Sequence, residues 1–83
     1  MNTEAIAIVH KLCQMRDFAK KHPDYHNISL AAAQTLKAVA KHHNVKLFSA
    51  LQIVMQRCAD ANKKDVMHWY AAAYLDIEEG LIT

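Results

Sequence analysis

One glycine, one proline and two cysteines are all that this 83-residue chain holds of the residues that bend, break or staple a fold. A loop that cradles phosphate through backbone N–H groups needs several glycines close together, so that chemistry is excluded. The near absence of breakers, with 53% apolar residues, also excludes disordered, collagen-like and loop-rich classes. Cys13 and Cys58 lie far apart in the sequence and do not make a disulfide framework. They read as reduced, packed thiols, which places the chain in the cytoplasm. The opening MNTEAIAIVHKLC has no basic stretch ahead of its apolar residues. No apolar run approaches the ~20 residues that cross a bilayer, and no membrane partner is expected.

Basic residues are missing from the last part of the chain. Residues 1–64 carry all ten Lys and Arg and four acids, a net +6, whereas residues 65–83 carry four acids and no Lys or Arg, a net −4. A basic body with an acidic end suits a nucleic acid, a protein partner or a second copy of the chain.

What is present is helical. Fourteen alanines and so few breakers predict an all-α fold, a single domain over 1–83 of four helices packed around the third. The first is expected from Thr3, a candidate cap, to Lys21, with Ala5, Ile8, Val9, Leu12, Met15 and Ala19 on one face. Pro23 ends it by disfavouring helical geometry at His22. After HPDYHN, the second helix is expected to be capped by Asn27 or Ser29 and to reach His43, with Ala32, Ala33, Leu36, Val39, Ala40 and His43 inside. The third, Val45 to Asn62, carries a seam of Leu47, Leu51, Val54, Cys58 and Ala61 and is apolar around most of its circumference. The fourth is bounded by Asp65 as cap and by Gly80 in a left-handed turn, with Leu81 folded back on its last turn.

The stretch AKHHNVKLFSA between helices two and three resembles a helix–turn–helix segment over about twenty residues, with Asn44 where a glycine is usual. That resemblance implies a small DNA-binding transcriptional regulator using residues 30–60, with Lys41, Lys46, Ser49, Gln52 and Gln56 toward the duplex. The outer strip of the third helix weighs against it. Lys46 and Asp60 cancel there, and Leu47 and Phe48 occupy the first turn, so a structural corner is the favoured reading.

The favoured function is a non-enzymatic interaction or regulatory module that binds a protein partner, as a homodimer contacting itself through helix three or four. WYAAAYLDIEE supplies the candidate partner surface: Trp69, Tyr70, Tyr74, Asp76, Glu78 and Glu79. The three acids oppose the helix dipole by roughly 0.3–1 kcal/mol each, so a basic neighbour such as Lys20–Lys21 or Lys37–Lys41 is expected; a solvated acidic end is the simpler reading. Neither thiol sits beside a base in a reactive setting, and no catalytic residue or cofactor is expected. The six histidines and two cysteines form no two close ligand pairs of the kind that hold structural zinc. The melting temperature should therefore be the same with and without EDTA, and a fall of many degrees that zinc reverses would refute this.

Overall fold

The computed structural model describes residues 3–82 and consists of four α-helices, with no strand among the described residues: α1 (Thr3–Ala19), α2 (Tyr25–His43), α3 (Leu47–Asp60) and α4 (Lys64–Glu78). Among the described residues no helix is long and apolar enough to cross a membrane. The links are short, as expected for a chain with so few breakers.

The centre of the packing is α4, not α3. α4 contacts α1, α2 and α3, whereas α3 packs against α2 and α4 alone among the larger helix pairings. Ala71, Ala72 and Ala73 explain this. Each is 0% exposed, and consecutive helical residues are about 100° apart, so the three together enclose more than half of the helix circumference. Methyl groups let three neighbours approach the same turn. The apolar breadth of α3 is only partly used: Ala50, Leu51, Val54 and Cys58 are buried, Ile53 and Met55 are half-buried, and Ala61 at the end of the expected seam is exposed.

The helix ends differ from expectation in instructive ways. α1 closes at Ala19 rather than Lys21, and the Lys20 and His22 N–H groups finish the turn on the Arg16 and Ala19 carbonyls (2.9 and 3.1 Å). The residues preceding Thr3 lie outside the described residues, so its capping role does too. α2 begins at Tyr25, before either expected cap. Asn27 donates to the Asp24 carboxylate (2.8 Å) and Ser29 is buried inside the helix. The other end of α2 is closed by Asn44 in the left-handed region (φ 53°), and the Val45 N–H reaches the Ala40 carbonyl (3.0 Å). His43, expected inside, is exposed there. α3 spans less than the expected 45–62, and Asn62 (φ 57°) makes its own left-handed exit.

α4 starts two residues earlier than expected, with Lys63 at the cap position, which puts Asp65 in its first turn. Gly80 has φ 76°, the left-handed position foreseen for it. The residue that folds back is Ile82, which is buried, whereas Leu81 is 66% exposed. The Leu81 and Ile82 N–H groups both donate to the Asp76 carbonyl (2.8 and 3.2 Å), so the tail turns tightly and only the second residue reaches the core.

Because the alanine turn of α4 is touched from several sides, Ala72→Leu has no free space to occupy. Urea denaturation should show about 1–3 kcal/mol lost, while the same substitution at exposed Ala38 should change stability by less than about 0.5 kcal/mol.

Candidate functional site

On α4, Trp69, Ala72 and Asp76 follow at three- and four-residue steps, and the turn between them is interior. Asp76 is therefore carried inside, 3% exposed. On α2 the inner stripe of Ala32, Ala33 and Leu36 begins with Ser29, which is buried as well. A carboxylate removed from water has to recover its hydrogen bonds from the protein. Asp76 does so from two helices. Tyr25 Oη and Ser29 Oγ of α2 donate to its Oδ2 (2.6 and 2.9 Å), and Arg16 Nη1 of α1 donates to Oδ1 (3.3 Å). The same guanidinium holds Glu79 in a two-pronged ion pair, Nη1 to Oε2 and Nη2 to Oε1 (3.2 Å). One residue thus joins α1 and α2 through its carboxylate and the C-terminal turn through its carbonyl.

The acidic end of α4 is accordingly not fully solvated, and of the lysines anticipated for it Lys20 acts on Glu79 through its charge, behind the direct bonds from Arg16. Asp76 is inside, and Arg16 is the cation bonded to both Asp76 and Glu79. Arginine suits the position because its planar fork reaches two carboxylates at once. Hydrogen bonding to Glu79, above the other contributions, favours the charged form of Arg16, and the reciprocal bond holds the Glu79 carboxyl below its ordinary range. Burial first, then the hydrogen bond to Asp76, pushes the Tyr25 phenol above the ordinary tyrosine range. Tyr74 is raised as well, by burial and then by nearby Glu78.

The aromatic residues of α4 face different neighbours. Trp69 lies 5.7 Å, centre to centre, from both the His22 and Tyr25 rings. Tyr74 lies 5.8 Å from Phe48 of α3, and Tyr70 lines a hollow with Val39 and Cys58. All three are half-buried. With Asp76 inside, Glu79 bound to Arg16 and Glu78 exposed, the six residues expected to form a partner surface are distributed over several sides of α4. Of the residues assigned to the duplex, Lys41, Lys46, Gln52 and Gln56 are exposed and Ser49 is half-buried. Gln56 donates to Asp60 (3.0 Å), and Phe48 of the leading turn packs onto α4.

Two surface features stand apart. The first is a cleft of about 340 Å³ where the α1–α2 turn meets the start of α4, walled by Phe18, Pro23 and Trp69 and edged by Lys21, His22, Asp65 and His68. The second is the N-terminal half of α1, where Ile6 and Val9 are 51% and 52% exposed. With Ala5, His10 and Cys13 they line an open groove of about 490 Å³. No group of three His, Cys, Asp or Glu side chains among the described residues is placed to hold a metal ion.

Comparison of the chain with known protein families, curated proteins and solved structures found no match.

Arg16 and Tyr25 carry no motif, and Ser29 reads in the sequence as a helix cap, so none of the three stands out there as a partner of Asp76. A signal was nonetheless present. Ser29 and Asp76 both fall on apolar stripes of their helices, and two polar groups carried into one core must find each other.

Removing the acceptor leaves Arg16 and Ser29 without their common partner, so Asp76→Ala should cost about 3–5 kcal/mol in urea denaturation, against about 1–2 kcal/mol for Tyr25→Phe. The raised Tyr25 pKa gives the pH dependence its sign. Stability from the neutral phenol is complete below the unfolded value of about 10 and is lost as pH rises through the higher folded value. In an ultraviolet titration of the three tyrosines, Tyr25→Phe should delete a late component that ionises with unfolding. Loss of a component that ionises in the ordinary tyrosine range instead would show that the bond is not kept in solution.

Proposed function

We propose that the chain is a non-enzymatic interaction module that binds protein through the apolar face of α1, and that its first partner is a second copy of itself. The observation that carries this reading is the contiguity of that face. Leu30, Val45, Val66 and Leu81 are exposed singly on separate segments, as in any soluble domain. Ile6 and Val9 instead lie one turn apart beside Ala5 and Cys13 on a surface without an ionised side chain at its centre. Such a patch on a small domain marks a contact surface.

A second copy fits for a geometric reason. Two α1 helices running antiparallel about a two-fold axis near Val9 set the larger Ile6 of one protomer against the smaller Cys13 of its partner, so ridges meet hollows in both directions. We favour α1 over helix three or four for this contact because Ile53, Met55, Tyr70 and Tyr74 are half-buried, whereas Ile6 and Val9 are more than half exposed. A regulatory role and a cytoplasmic setting accompany this reading. Duplex DNA binding by the α2–α3 corner has less support, since Gln56 is engaged with Asp60 and the strip carries no net charge.

Light scattering at about 100 μM should give twice the chain mass. Val9→Glu should halve it while leaving the helical circular dichroism unchanged, and Gln52→Glu should do neither. A monomeric mass for the unmodified chain, or duplex binding that disappears when Gln52 and Gln56 become alanine, would overturn the reading.

A further inference from the structure

The cleft at the α1–α2 turn is chemically unlike the α1 groove. Its walls, Phe18, Pro23 and Trp69, are flat and apolar, while its edge carries one cation, Lys21, and one anion, Asp65. Lys21 Nζ stands 5.3 Å from the centre of the Phe18 ring. Among the described residues neither Lys21 nor Asp65 takes part in an ion pair, although both border the same small space. The Nδ1 atom of His68 is buried without a hydrogen-bond partner among the described residues, beside a Phe18 ring 4.7 Å away. His22 accepts the Asp24 N–H at Nδ1 (3.0 Å), which leaves the hydrogen of its neutral ring on Nε2 as a donor.

From this arrangement we infer that the cleft binds a small aromatic zwitterion, an aromatic amino acid in its free form. The three requirements of such a ligand are met separately. A ring gains from edge-to-face or offset contact with Phe18 and Trp69, the carboxylate is met by Lys21, and the ammonium by Asp65. A simple anion is disfavoured because Asp65 opposes it, and a simple cation because Lys21 does. The volume of about 340 Å³ lies at the small end of ligand pockets, which run from about 300 to 1,000 Å³. This site is separate from the α1 face, so either can fail without the other.

Trp69 is the only tryptophan of the chain and lies in the cleft wall, so its fluorescence reports on the site directly. The unmodified protein is titrated with L-phenylalanine, with phenethylamine, which lacks the carboxylate, and with 3-phenylpropionate, which lacks the ammonium. L-phenylalanine should saturate the signal with a midpoint of about 1 mM or below, and each analogue should bind roughly fivefold or more weakly. Lys21→Ala should abolish the preference over phenethylamine alone, and Asp65→Asn the preference over 3-phenylpropionate alone. Lys21→Gln repeats the first test should the alanine variant fold poorly. No saturable change up to about 20 mM, or either preference surviving its own substitution, overturns the proposal.

Discussion

A single carboxylate, that of Asp76, holds the bundle in its present arrangement. Its two oxygens receive donors from α1 and α2, and its carbonyl receives the two N–H groups of the turn that returns Ile82 to the core. The contribution to stability does not come from the charge as such, because burying an ion is costly and a well-packed apolar residue could serve as well. The contribution is to register. Ser29 and Tyr25 can satisfy Asp76 in one relative placement of α2 and α4, and Arg16 can reach both Asp76 and Glu79 in one placement of α1. A core built largely from alanine and leucine is permissive about sliding by a turn, and this group of polar bonds removes that freedom.

The alanine triplet and the carboxylate work together. Ala71, Ala72 and Ala73 bring the neighbouring backbones close enough for Asp76, one turn further on, to be reached from two of them. A larger side chain in the triplet would both crowd the neighbours and lengthen the bonds to Asp76. Close packing and polar satisfaction are thus linked along one turn of α4, and the acidic character of the helix end follows from that internal task.

Much of this was readable in the sequence. Four helices, the break at Pro23, the left-handed positions at Asn44 and Gly80, and the buried stripes through Leu36, Leu51 and Val54 follow from periodicity and from the few residues able to turn the chain. The hub was not readable, because periodicity assigns faces but not neighbours. α3 has the broadest apolar surface, yet α4 is central because its side chains are smallest where neighbours crowd it. The candidate sites were the least legible. Whether Trp69, Tyr70 and Tyr74 share a surface depends on which helix packs against each flank. The clefts and the open face of α1 arise from the relative lengths and angles of helices, which no local pattern encodes.

The place of α1 has a consequence for the order in which the molecule assembles. α3 is joined to α2 and to α4 by short turns and meets both through contacts closer in sequence, which form quickly. α1 docks chiefly on α4, and its anchor, Arg16 to Asp76, closes a span of 60 residues. On the ribosome, α1 therefore emerges well before the helix that seats it. Until α4 arrives, α1 has an apolar side with nothing to cover it, a period in which neighbouring chains or a chaperone compete for the helix.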